Sequence, residues 1–287
     1  MTESDVESER WFGLDWSDWG PLKKEEGHLA TAPTDEGLYR VRHPDYEGLV
    51  YIGETGRSTS GRIHSLARGA FSDEMPFRDP HTAAPCLWAI RDRDGPDLEI
   101  SWTTPDRATE KQPRKGIEAA LIALHRREIG HSPTANFGRI IEGYKQSGYS
   151  SDGFVGGPLS EDETEPNTEP GVGPLEWTDH ERPLSTDWMG LDWTEPEPLD
   201  EVSTDTPTTD GLYRLWNAGD PEPLTYIGES SNLKSRLYSH RRERDGELQY
   251  SYTVLDEHNA QHKRQEVETE LIGAHWVSYE CAPVDQF

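Results

Sequence analysis

The sequence predicts an α/β chain of α+β type: two small domains, each with a central, mostly antiparallel sheet of about three strands flanked by helices, joined by an acidic linker. Three observations predict it. One pattern of segments occurs twice in the 287 residues, strand-like runs alternate with stretches of helical spacing, and the acidic charge gathers outside both. Gly13-Leu14-Asp15-Trp16 returns as Gly190-Leu191-Asp192-Trp193, and Gly37-Leu38-Tyr39-Arg40 returns as Gly211-Leu212-Tyr213-Arg214. Tyr51-Ile52-Gly53-Glu54 returns as Tyr226-Ile227-Gly228-Glu229. Glu118, Leu121, His125, Pro133 and Phe137 match Glu268, Leu271, His275, Pro283 and Phe287 at identical spacing. From Gly37 to Glu118 is 81 positions and from Gly211 to Glu268 is 57, so copy two is shorter by 24. Four segments follow: an acidic amino-terminal segment with the Gly-Leu-Asp-Trp motif (1–36), domain one (37–149), an acidic disordered linker (150–185) and domain two with its own motif (186–287).

Each element has a local reason. Gly37 to Arg42 alternates apolar and polar residues, as a half-buried strand does; His43 to Gly48 is turn chemistry, and Leu49 to Ile52 closes a hairpin. Ser58 to Arg68 reads as a helix with Ile63 and Leu66 on one face and Thr59 or Ser60 as its cap. The apolar runs Cys86 to Ile90 and Leu98 to Trp102 read as further strands. A helix starts near Pro113 and runs to Ile129, where Gly130 and Pro133 stop it. Copy two repeats the order with strands Gly211 to Trp216 and Leu224 to Ile227, a helix from Asn232, a strand from Leu248 to Leu255 and a helix from Gln261 to Val277. The order is β-β-α-β-α.

The chain carries 55 Asp and Glu against 28 Lys and Arg, a formal charge of −27. Bulk charge of that sign argues against an overall basic nucleic-acid binder and a basic membrane-surface protein. The charge is local, however: residues 1–36 carry −7 and 150–210 carry −16, which leaves 37–149 at +1 and 211–287 at −5. Such an acid excess, with only seven lysines, predicts a halophilic protein kept hydrated in molar salt by its carboxylates. The first ten residues have neither a basic nor an apolar region, and no stretch approaches the ~20 apolar residues of a membrane span, so a cytoplasmic protein with no membrane partner is expected. Cys86 and Cys281 are the only cysteines, without C-x-x-C spacing, and read as two buried, reduced thiols.

Gly37-Leu38-Tyr39, Tyr51-Ile52-Gly53, Arg62 in the next helix, Glu118 in a later helix and Asn136 form an ordered set that resembles the signature of the GIY-YIG nuclease superfamily. Copy two presents Gly211-Leu212-Tyr213, Tyr226-Ile227-Gly228, Arg236, His240 and Glu268. The resemblance implies a metal-dependent endonuclease acting on nucleic acid, DNA foremost, with Mg²⁺ or Mn²⁺ on Glu118 and Glu268. It implies Tyr39 and Tyr213 as general base or water-positioning groups, Tyr51 and Tyr226 as orienting partners, Arg62 and Arg236 on the scissile phosphate, and Asn136 as a brace. Phosphodiester hydrolysis needs these types: an activated water, a cation on the phosphate oxygens, and donors where charge grows. Two copies in one chain allow the domains to pair intramolecularly and cut both strands of a duplex.

The copies depart from the pattern differently. Copy one has Leu66 where copy two has His240 and offers only His64; copy two has Gln286 where copy one has Asn136. Its intact brace and charge balance make copy one the better catalytic candidate. Arg107, Lys111, Arg114 and Lys115 form a basic loop that either contacts phosphates or is simply solvated. Other readings stay open. Tyr39 and Tyr51 also suit a cross-strand aromatic pair, Arg62 and Glu118 taken singly suit solvated helix positions, and His125 and His275 suit structural histidines. His258 and His262, spaced i and i+4, suit a metal pair or an exposed helix start. The alternative function is a catalytically degenerate module that binds nucleic acid or protein.

Overall fold

The computed structural model describes residues 5–23, 27–168, 171–202, 205–255 and 260–287. The fold is α+β: the described residues form small antiparallel sheets, two of four strands and two of two, with five α-helices. The chain divides into two compact units, residues 1–114 with 128–171, and residues 115–127 with 172–287. No helix among the described residues is long and apolar enough to cross a membrane.

In the first unit, β1 (Arg10–Trp11), β2 (Leu14–Asp15) and β3 (Gly20–Pro21) precede the hairpin of β4 (Gly37–Arg42) and β5 (Leu49–Thr55). Helix α1 (Thr59–Ala70), helix α2 (Ala84–Asp94) and β6 (Glu99–Thr103) follow, and then helix α3 (Lys111–Ile129), whose residues 115–127 belong to the second unit. The sheet order is β3-β6-β4-β5. The cap of α1 is Ser58, whose side chain accepts from the Gly61 N–H, one residue earlier than the sequence suggests. A short pair, β7 (Tyr144–Lys145) with β8 (Gly157–Pro158), completes the unit.

The second unit holds β9 (Glu197–Pro198), β10 (Gly211–Asn217), β11 (Tyr226–Ser230), helix α4 (Leu233–Glu243), β12 (Leu248–Val254) and helix α5 (Gln261–Tyr279). Its order, β9-β12-β10-β11, reproduces that of the first sheet strand for strand. Each sheet therefore has four strands rather than about three. The additional member is the edge strand that follows each Gly-Leu-Asp-Trp motif, two residues long and beyond the reach of periodicity. Residues 115–127 of α3 pack on α5 at close quarters: a Cβ at Gly273 would lie 2.5 Å from Ala119 and Ala123 atoms, and one at Gly116 would lie 2.2 Å from the Trp276 ring.

Three expectations are corrected. Cys86 to Ile90 is helix α2, not a strand. Every residue from Ala84 to Ile90 is buried, so the helix has no polar face to reveal its 3.6 period, and Pro85 at its first turn is the only start signal. Strand β4 is not half-buried, because Arg40 is fully enclosed. The segment before it wraps the polar face, placing Trp16 at 4.3 Å and Trp19 at 4.6 Å from the guanidinium carbon, with the Val6 and Ser8 carbonyls as acceptors. Arg214 is enclosed in the same way, with Trp193 at 4.3 Å and the Pro183 and Ser185 carbonyls as acceptors. The Gly-Leu-Asp-Trp motif is this clamp: Gly13 and Gly190 take positive φ of 65° and 74°, turning each second tryptophan back so that its indole N–H meets the carbonyl of Trp11 or Trp188.

The third correction concerns 150–185, which composition marks as disordered linker. It carries 3₁₀ turns at Ser150–Asp152 and Pro166–Thr168. Trp177 is buried and donates its indole N–H to Glu270 at 2.8 Å. Carboxylates elsewhere in each unit accept its backbone N–H groups, as at Ser150 with Asp79 and Leu175 with Glu270. Cys86 is buried as expected, whereas Cys281 is only partly so.

Candidate active site

Each central strand sets a tyrosine between two partners. Tyr39 pairs with Gly53 on β5 and Trp102 on β6; Tyr213 pairs with Gly228 on β11 and Tyr252 on β12. Residues two apart on a strand share a face, so Tyr51 lies beside Tyr39 and Tyr226 beside Tyr213, with ring centroids 5.9 and 6.0 Å apart. The glycine of each Tyr-Ile-Gly is what admits these rings. A Cβ at Gly53 would lie 2.8 Å from atoms of both Tyr39 and Tyr51, and one at Gly228 would lie 2.3 Å from the Tyr213 hydroxyl.

In the second unit the sequence-predicted residues come together. Arg236 Nε donates to the Tyr213 hydroxyl oxygen at 2.9 Å and also hydrogen-bonds Tyr226. His240 Nε2 lies 2.9 Å from the same oxygen. Arg244 Nε donates to His240 Nδ1 at 3.0 Å, which makes Nδ1 the acceptor and places the imidazole proton on Nε2, pointing at Tyr213. One phenol oxygen thus accepts from a guanidinium and an imidazole. Burial nevertheless raises the Tyr213 pKa, with Tyr226 as the next cause. Glu268 Oε1 accepts the Glu229 N–H at 3.1 Å, and burial together with the Glu229 charge pushes its carboxyl up to about 7. Glu229 is itself tied to Arg264 at 2.7 Å.

Glu268 is the residue of this cluster that could hold a hard divalent cation. Glu268 Oε2 has no hydrogen bond among the described residues, and a carboxylate held at so high a pKa gains most from a nearby cation. No group of three or more His, Cys, Asp or Glu able to hold a metal occurs among them. A cation here would be held by one carboxylate and completed by water and substrate oxygens, as Mg²⁺ accepts.

In the first unit Arg62 Nε donates to Tyr39 at 3.4 Å and Nη1 to the Pro80 carbonyl at 2.9 Å. Leu66 is fully buried, and His64 is engaged by the Ser60 carbonyl of its own helix rather than by Tyr39. Glu118, half-buried on α3, lies in the part of that helix that belongs to the second unit, while Tyr39, Tyr51 and Arg62 belong to the first. The full constellation falls within one unit only in copy two.

The difference in braces disappears in three dimensions. Asn136 accepts the Ile52 N–H at 3.1 Å and donates to the Ile52 carbonyl at 2.9 Å; Gln286 makes the same pair of bonds to Ile227, each at 2.9 Å. Preference for copy one on that ground falls away, since the longer amide reaches the same backbone. Arg114 is not a phosphate contact: it is buried, with Glu54 at 2.7 Å and the Ala108 and Thr109 carbonyls around its guanidinium. Its counterpart is Arg264 on Glu229, and both arginines stand four residues before the site glutamate. Sequence reasoning missed this pair although the repeat carries it. His275 is a structural histidine, accepting the Leu224 N–H and donating to the Cys281 carbonyl. His125 and His262 are buried, and His258 lies outside the described residues.

A pH prediction follows from the buried groups. Burial pushes His81, His240 and His275 from 6.5 down to about 4. The unfolded chain therefore binds those protons first, and their contribution, present above pH 6.5, is lost as pH falls toward 4. Glu268 runs the other way, its contribution present below 4.5 and lost as pH rises through 7. Three groups against one leave the chain about 2–4 kcal/mol more stable at pH 6.5 than at pH 4.5. Urea denaturation followed by tryptophan fluorescence at the two pH values measures this, and equal stability would refute it.

No protein-family model, curated protein or solved structure matches this chain.

Proposed function

We propose that the chain is a divalent-cation-dependent endonuclease of the GIY-YIG type, hydrolysing phosphodiester bonds in nucleic acid, DNA foremost. One observation carries the reading: in copy two, Arg236 and His240, recognised by their order in the sequence, both hydrogen-bond the Tyr213 phenol oxygen, and the Glu268 carboxyl lies within electrostatic reach of it. Arg236 holds the phenol and, through its remaining N–H groups, binds a phosphate oxygen. The two donors fix the Tyr213 oxygen, whose pKa burial holds up, so that the phenol positions the attacking water. Tyr226 keeps Arg236 in register. A cation held by Glu268 would supply charge neutralisation at the phosphate oxygens and would lower the pKa of water nearby. Arg62, Tyr39 and Tyr51 take the matching roles in copy one, with Asn136 and Gln286 each bonded to the backbone of the second hairpin strand.

Plasmid DNA with Mg²⁺ or Mn²⁺ at low and molar KCl tests the reading. The chain nicks DNA, Glu118→Ala plus Glu268→Ala lowers the rate at least ~10³-fold, and the single variants report which copy works. Absence of cleavage on every DNA and RNA form overturns it. A second reading, a degenerate binding module, draws on the 860 Å³ cavity beside Tyr226, Arg236 and His240, which Asp220, Glu222 and Asp285 also line. Carboxylates there repel phosphate at low salt and less so in molar salt, where the Debye length is about 3 Å. Salt-dependent binding without turnover, unchanged in the double variant, marks that outcome.

A further inference from the structure

The extra residues of copy one do more than lengthen it. They lie between α1 and β6 and comprise α2 and the loop before it. That loop carries His81, which is 3% exposed yet has neither ring nitrogen hydrogen-bonded. A buried imidazole with no partner is costly, and in this chain the contrast is direct: His275, equally buried, has both nitrogens satisfied. The neighbouring residue, Pro80, is the one whose carbonyl receives Arg62 Nη1 at 2.9 Å. The Arg62 charge is also the second cause, after burial, of the depressed His81 pKa, which places the imidazole within electrostatic reach of that guanidinium. His81 lines a 650 Å³ cavity with Arg68 and Asp79. Both Asp79 oxygens are occupied by Ser150, through its N–H and its hydroxyl.

We propose that His81 is a substrate-binding residue of copy one, donating an imidazole N–H to a phosphate oxygen held beside Arg62. It supplies from an inserted loop the imidazole that copy two carries on its helix as His240 and that copy one replaces with Leu66. The position rests on the phosphodiester reading of copy one. It differs chemically from the helix histidine: His240 has its second nitrogen taken by Arg244, whereas both nitrogens of His81 are buried without a hydrogen-bond partner.

The test uses the full chain labelled with ¹⁵N-histidine and no metal, titrated with inorganic phosphate and with a phosphorothioate DNA oligonucleotide. The His81 imidazole signal, assigned by its disappearance in His81→Gln, shifts on titration with either probe. Affinity for the oligonucleotide falls about 10-fold or more in His81→Leu, which has no donor, and is partly kept in His81→Gln and His81→Asn, whose amides retain an N–H donor. The signal of the unmutated chain decides the matter even where a variant folds poorly. A shift with no cleavage of any nucleic acid upholds the phosphate site while the nuclease reading falls. Cleavage with an unmoved His81 signal, or no movement with either probe, overturns the His81 proposal.

Discussion

Arg126→Ala is expected to cost about 3–5 kcal/mol of stability, the largest single effect in the molecule. Arg126 is fully enclosed in the second unit, with Glu270 at 2.9 Å, Glu266 at 3.4 Å and the Gly173 carbonyl at 2.9 Å. Both carboxylates are also fully enclosed. They are acceptors as well as charges: Glu266 takes the Val172 N–H, and Glu270 takes those of Leu175 and the Trp177 indole. Removing the cation leaves two like charges in low dielectric, so they either take up protons or open the segment they hold. Arg126→Lys keeps the charge but not the planar fork and is expected to lose about half as much. Urea unfolding at pH 7 checks both, and an Arg126→Ala loss below about 1 kcal/mol would show that the triad is hydrated in solution.

On the proposed nuclease reading, Gly228→Ala is expected to lower cleavage by copy two about 10²-fold while costing no more than about 1–3 kcal/mol of stability. The added Cβ would sit 2.3 Å from the Tyr213 hydroxyl and 2.8 Å from the Tyr226 ring, so the phenol must leave its two donors. Gly53→Ala acts on Tyr39 and Tyr51 in the same manner at 2.8 Å and is expected to have a milder effect. The His240 imidazole provides a readout apart from turnover, because its Nε2–H loses the Tyr213 acceptor and its nitrogen resonance shifts. An alanine variant with full activity and an unmoved His240 signal would separate the tyrosine from the chemistry.

Much of the site was legible because the chain states it twice. The spacing of Tyr213, Tyr226, Arg236 and His240 identifies residues that the structure joins by hydrogen bonds and ring contacts, with Glu268 within electrostatic reach, and the same comparison contained Arg114 and Arg264 unnoticed. Helix α2 was illegible for a physical reason: periodicity reports a difference between two faces, and the stretch Ala84 to Ile90, buried at every residue, has none. Asn136 against Gln286 looked like decay in copy two because residue identity does not report reach, and one more methylene restores both bonds to the strand. His81 carried no signal, since its neighbourhood with Arg62 arises only when the inserted loop returns to the end of α1.

What the sequence determined by itself is local and repeated: two copies, the hairpins, helices α1, α3, α4 and α5, the order of the candidate site residues and the confinement of acid to the flanks. These follow from backbone preference and from side-chain spacing within one element. What only the tertiary structure decided depends on contacts distant along the chain. Arg40 and Arg214 are enclosed by tryptophans of preceding segments, the acidic stretch at 171–185 is fastened to Glu266 and Glu270, and Arg126 meets a carboxylate 144 residues away. Burying a charge is favourable only when its partners arrive together, and no periodicity within a single segment encodes that arrival.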